Sequence, residues 1–149
     1  MKILILNGPN LNLLGTREPD LYGSTTLTDV EAMCTTAAKQ HGFLVECYQS
    51  NHEGALIDKI HEYGRLYKSG LAKGVVLNAG AFTHTSVALH DAIKGVGELP
   101  VIEVHISNVH AREKFRHHSF ISSAVAGIIV GFGVDGYVMA VDALARKTK

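Results

Sequence analysis

The stretch PVIEVHISNVHAREKFRHHS, residues 100–119, decides the fold and points to the site. It completes an apolar run, LPVIEV, of the kind that forms a strand covered on both faces, as in parallel sheets. Side chains alternate along a strand with period two, so Glu103 and His105 face the same side. A carboxylate in such a strand costs on the order of several kcal/mol unless something pairs it. Glu103 is therefore expected to orient His105 for acid–base work. A polar turn follows, then Arg112 and Arg116, four apart and on one face if the segment is helical. A dyad beside two guanidinium groups suits a small, oxygen-rich, negatively charged substrate.

Outward from this stretch, short apolar runs alternate with amphipathic segments. KILIL (2–6), FLVECYQ (43–49), GVVLN (74–78), PVIEVH (100–105) and AGIIVG (126–131) predict five strands. A first helix is expected from Thr28, with Glu31 closing a capping box. Val30, Met33, Cys34, Ala37 and Ala38 lie on its inner stripe, and Gly42 stops it. A second runs from about Glu53 to Ser69, with Leu56, Ile57, Ile60 and Tyr67 inward. Further helices are expected at about 86–95, 111–116 and 134–147. The last turns Val134, Tyr137, Val138, Val141, Leu144 and Ala145 inward. Five β–α pairs predict one α/β domain over residues 1–149, a flavodoxin-like α/β/α sandwich with parallel strand order 2-1-3-4-5. The ligand crevice should lie beyond the ends of strands 1 and 3, where the order reverses. Three polar loops would meet there: 7–24, 78–86 and 105–112.

Composition narrows the function classes. With 14 basic and 14 acidic residues in 149, the formal charge is zero, which gives no footprint for nucleic acid or an anionic membrane. The N-terminal apolar run is too short for a signal peptide, and nothing approaches a membrane span. Cys34 and Cys47 read as buried free thiols of a cytoplasmic protein.

The first loop, NGPNLNLLGTREPDLYG, carries Asn10, Asn12, Arg17 and Tyr22 among glycines and prolines, the make-up of a lid or of ordinary Asx turns. Its length at the switch point favours a functional use. In NAGAFTHTSVALHD, Asn78 can offer an amide to a ligand hydroxyl and His84 a contact. Thr83, Thr85 or Ser86 would cap the next helix. His90 reads as packing or surface, and Asp91 as solvated charge. The N–H groups of Ile106 and Ser107 precede a short helix and could receive a carboxylate. His110, His117 and His118 read as surface or packing.

GFGVDG (131–136) matches G-x-G-x-x-G, but a dinucleotide site wants it after the first strand, with an acidic residue about 20 positions on. The sequence stops at Lys149, so the motif reads as a tight turn. Nine histidines contain no metal-binding spacing, and Glu103 with His105 lacks a third ligand. A phospho-receiver would need acidic residues after strand 1, and a flavin carrier a hydroxyl-rich loop; Asn7-Gly8-Pro9-Asn10 is neither.

The pieces LNGPNLNLLGTREPDLYG, SNHEG (50–54), AGAFTHTS (79–86), EVHISNVHAREKFRHHS and GFGVDGY resemble the type II 3-dehydroquinate dehydratases, in order and across essentially the whole chain. The resemblance implies a dodecamer built from trimers that reversibly dehydrates 3-dehydroquinate to 3-dehydroshikimate through an enolate, without cofactor or metal. It implies Tyr22 as base, Arg17 as its activator, and His105 as general acid partnered by Glu103. Asn12 and Arg112 would support the enolate and the tyrosine. Asn78, His84, Ile106, Ser107 and Arg116 would contact substrate. Asp91 would reach a neighbouring subunit's site, which replaces the solvated-charge reading. The sequence departs from the family at NAG, where NPG is common, at Phe82, where tyrosine is common, and at 62–73, which look longer than usual.

That chemistry is physically accessible. A tyrosine titrating near 10 is ionised in about one molecule in a thousand at pH 7, and bringing it to 7 takes about 4 kcal/mol. One guanidinium at about 4 Å supplies roughly that much at an effective dielectric near 20.

Overall fold

The computed structural model describes residues 1–16, 20 and 23–148. Five strands, β1 (Lys2–Asn7), β2 (Leu44–Gln49), β3 (Ala72–Asn78), β4 (Val101–His105) and β5 (Gly127–Val130), form one sheet in the order β2-β1-β3-β4-β5. Every neighbouring pair is parallel. The expected flavodoxin-like architecture is the observed one. The strand order reverses between β1 and β3, which run side by side from Ile3↔Gly74 to Asn7↔Asn78.

Among the described residues four α-helices cover the sheet: α1 (Leu27–Gln40), α2 (Glu53–Lys68), α3 (Val87–Gly95) and α4 (Asp135–Arg146). Alternation along the strands divides the core into two layers. Leu4, Leu6, Val75, Leu77 and Val101 pack with Leu56, Ile60 and Tyr63 of α2 and Leu89 and Ile93 of α3. Ile3, Ile5, Val76, Ile102 and Val104 face the other way, onto Val30 and Cys34 of α1 and Tyr137, Val141 and Leu144 of α4. Glu103 has the parity of Val101, so it and His105 belong to the α2/α3 face.

Several local expectations are corrected. Helix α1 starts earlier than Thr28. Thr26 is the N-cap, its hydroxyl accepting from Asp29 N–H at 3.2 Å while the Asp29 carboxylate accepts from Thr26 N–H at 2.9 Å. Two overlapping T-x-x-acid patterns exist, and the upstream one closes the box. On α2 the fully buried tyrosine is Tyr63, with Tyr67 only partly covered. No helix spans 111–116. Two 3-10 turns, Val109–Ala111 and Lys114–Arg116, are separated by extended backbone at Arg112. The Asn108 side chain accepts from His110 N–H at 3.1 Å, and the His117 ring bonds the Arg112 carbonyl at 3.0 Å, side-chain partners that compete with a helical ladder. Six residues are also too few to sustain a helix against its nucleation cost. No described helix is long and apolar enough to cross a membrane.

Candidate active site

At the carboxyl ends of β1, β3 and β4 a cleft opens to solvent. Pro9 and Asn10 line it from the loop after β1, Asn78 and His84 from that after β3, and His105, Ile106, Ser107, Arg112 and Arg116 from that after β4. The three polar loops converge as the switch point requires. The backbone approach between the first two is close: Gly8 N–H donates to the Asn78 carbonyl at 2.8 Å, and a Cβ on Gly8 would lie 2.4 Å from the Ala79 oxygen.

His105 and Glu103 form the expected dyad, with Nε2 of His105 3.2 Å from Oε2 of Glu103 and both side chains buried. Burial pushes the Glu103 carboxyl up, but hydrogen bonds from His105, Ser122 and Ser119 outweigh it and hold the group below the usual carboxylate range. The His84 ring lies 6.4 Å from that of His105, and its Nδ1 bonds the His118 carbonyl at 2.8 Å. Burial pushes His84 down, so a neutral ring faces the cleft.

The arginines share the cleft without sharing a helix. Arg112 reaches the Ser107 hydroxyl at 3.5 Å, and Arg116 Nε pairs with the Glu113 carboxylate. Among the described residues, no backbone carbonyl accepts from Ile106 or Ser107 N–H, but they precede a three-residue 3-10 turn rather than an α-helix. The arrangement offers a buried acid–base pair, cationic groups and free backbone donors within one polar crevice. It can bind an oxygen-rich anion and move a proton at His105.

The dehydroquinase class II family model matches residues 1–145. The chain belongs to this family of hydro-lyases. It is 69% identical over 147 residues to the 3-dehydroquinate dehydratase of Marinomonas sp., covering 99% of this chain and 97% of that one. It is 63% identical to the catabolic 3-dehydroquinase 2 of Aspergillus flavus, covering 93% and 89% of the two chains. The crystal structure of type II dehydroquinase from Propionibacterium acnes superposes with a TM-score of 0.90 at 41% identity, covering 98% and 97%.

Not every predicted site residue of this class II dehydroquinase chain meets in the cleft. Glu103 stands behind His105. Asn12 is exposed and outside the lining, its Oδ1 3.4 Å from Gln49 Nε2. Asp91 is exposed on α3, away from this cleft. Arg17 and Tyr22 lie outside the described residues. Asn78 is less available than expected: Nδ2 donates to the Tyr137 hydroxyl at 2.8 Å, and Oδ1 accepts from Gly80 N–H at 3.1 Å.

The sequence reading missed the groups that hold these residues. Tyr137, counted as core, donates its hydroxyl to Asn7 Oδ1 at 2.6 Å and so joins α4 to β1 and β3 beneath the cleft. Ser119 and Ser122 contact Glu103. The GFGVDG segment is a tight turn, and it also ties down the β4 loop: Gly131 and Gly133 N–H donate to the carbonyls of His105 and Ile106 at 3.1 and 2.9 Å. Both glycines have positive φ, which other residues rarely adopt. Their spacing was visible in the sequence; their partners were not. Ser86, one of three candidates, is the cap of α3, accepting from Leu89 N–H at 2.8 Å. Cys34 and Cys47 are free thiols, and no metal-holding cluster occurs among the described residues.

Proposed function

We propose that this chain catalyses the reversible dehydration of 3-dehydroquinate to 3-dehydroshikimate through an enolate. Family membership supports the reaction, and the observation that carries the mechanism is the buried Glu103–His105 pair in the cleft. Tyr22, ionised beside Arg17, removes the proton next to the ketone. The electrons move onto the carbonyl oxygen, and Asn12 stabilises that enolate directly or through water. As the enolate collapses, the carbon–oxygen bond β to the ketone breaks, and His105 protonates the hydroxyl as it leaves as water.

Binding roles follow the chemistry of each group. Ile106 and Ser107 N–H take the substrate carboxylate, and Arg116 the ring hydroxyls. Asn78 commits one amide hydrogen to Tyr137 and offers the other to substrate. His84 lies beside His105 as a further contact, and Arg112 supports the tyrosine. Arg17 and Tyr22 are five positions apart in the sequence, so one short stretch of chain supplies both activator and base. Each step is a proton transfer or an elimination, and the protein groups named supply all of them without a cofactor.

Assembly completes the proposal. Asp91, exposed in the single chain, reaches a neighbour's cleft in a dodecamer of trimers. The reaction serves aromatic biosynthesis and quinate breakdown alike, and the Aspergillus flavus relative carries a catabolic name.

The test is the enone ultraviolet absorbance that develops when protein meets 3-dehydroquinate, with Tyr22→Phe alongside. Wild type should generate the signal and the variant none, although the variant should still bind substrate analogues. A flat trace from correctly assembled wild type refutes the function, and an active Tyr22→Phe refutes the base. Mixing Asp91→Asn with Tyr22→Phe under confirmed subunit exchange should restore some activity; no recovery rules out the shared site.

A further inference from the structure

Ser119 and Ser122 were not singled out by any reading of the sequence, yet both hydroxyls end on the carboxylate behind the proposed acid. Ser119 Oγ lies 2.8 Å from Glu103 Oε1 and accepts backbone N–H groups from Ile121 at 3.2 Å and Ser122 at 3.0 Å. A serine oxygen has two acceptor sites and one hydrogen. Both acceptor sites are filled from the backbone, so the hydrogen goes to Oε1, which must be an acceptor. Ser122 Oγ lies 2.6 Å from Oε2 and 3.1 Å from Oε1. Glu103 is 1% exposed, so water does little to hold its charge.

We infer that Ser119 and Ser122 are positioning residues that hold Glu103 as a carboxylate, and that this keeps a proton on His105 Nε2 and reserves Nδ1 for the acid step. The carboxylate accepts from two hydroxyls and from His105 Nε2, 3.2 Å away. A carboxylate with these partners has only acceptor roles, so Nε2 must be the donor. Nδ1 is then the nitrogen left to exchange a proton with substrate in the cleft that His105 lines. The acid step at His105 thus depends on one 3-10 turn, Ser122–Ala124, and the residues that lead into it. The turn fixes the serines, the serines fix the carboxylate charge, and the charge fixes the tautomer.

The inference rests on the reading of His105 as acid, and its test separates the two. Ser122→Ala is the cleaner variant, because Ser119 also satisfies two backbone donors and its removal would loosen the turn. Protonation of Glu103 is followed by the carboxyl resonance of isotope-labelled glutamate, assigned with Glu103→Gln. In Ser122→Ala the midpoint should rise by about one pH unit, the equivalent of one hydrogen bond to a charged group. kcat should fall about tenfold with KM within about twofold. Ser122→Thr, which keeps a hydroxyl, should restore both. An unchanged midpoint overturns the inference, as does a raised KM with unchanged kcat, which would make the hydroxyl a substrate contact. If wild type fails to turn over 3-dehydroquinate, the functional reading falls by itself, and the carboxyl midpoint still decides whether the serines hold the charge.

Discussion

Replacing Tyr137 by phenylalanine would cut the polar joint beneath the cleft. Phenylalanine fills the same space, so the loss is confined to one hydroxyl. That hydroxyl donates to Asn7 Oδ1 at 2.6 Å and accepts from Asn78 Nδ2 at 2.8 Å. Asn7 and Asn78 are 0% and 4% exposed, so water cannot replace it readily. Each buried group left without a partner costs about 1–3 kcal/mol, while no longer burying a hydroxyl returns a part of that. A net loss of about 2–3 kcal/mol follows, and at roughly 2–4 °C per kcal/mol for a chain of this size Tm should fall by about 4–12 °C. Thermal unfolding must be compared at one protein concentration, because association shifts apparent stability. Asn78 loses the anchor of its amide, so KM should rise severalfold with a smaller change in kcat. A Tm within about 1 °C of wild type, together with an unchanged KM, would refute the argument that this network supports the cleft.

Gly8→Ala should destabilise by about 3 kcal/mol or more and disturb the cleft, since the new Cβ would lie 2.4 Å from the Ala79 carbonyl oxygen; chemical denaturation reads the loss. Glu103→Gln should lower kcat by about ten- to a hundredfold with little change in KM, because an amide cannot carry the charge that orients His105; steady-state kinetics decides. Glu103 is held below its ordinary value near 4.5 in the folded chain, so its contribution to stability is complete above that value and fades as pH falls through the folded pKa. Denaturation midpoints should therefore drop on acidification below about pH 4.5, and less steeply in Glu103→Gln. Burial pushes the Cys34 and Cys47 thiols up to about 12, so a disulfide reagent at pH 8 should label native protein at least about a hundredfold more slowly than unfolded protein.

Local patterns carried most of the architecture. Short, mostly apolar runs such as KILIL and PVIEV read as strands covered on both faces, and the amphipathic segments between them leave few topologies other than a parallel sheet. Period two alone put Glu103 and His105 together, and the switch-point rule gathered the loops carrying Asn78, His84, His105 and Arg112. Where two local signals competed, sequence was a weaker guide: Thr26 with Asp29 overrode Thr28 with Glu31, and the Asn108 and His117 side chains broke a helix whose spacing looked sound at Arg112 and Arg116.

The contacts that tune the cleft belong to another class. Ser119 and Ser122 lie 16 and 19 residues from Glu103, and Tyr137 lies 130 from Asn7. No periodicity links such pairs. A serine before a turn or a tyrosine on an apolar helix stripe reads the same whether its hydroxyl meets water, a carboxylate or an amide. Chain pattern specifies which faces are buried, because burial follows from hydrophobicity repeated along the chain. Which polar groups meet inside is set only when helices and strands dock, because a hydrogen bond depends on ångström-scale distance and direction that no local pattern encodes.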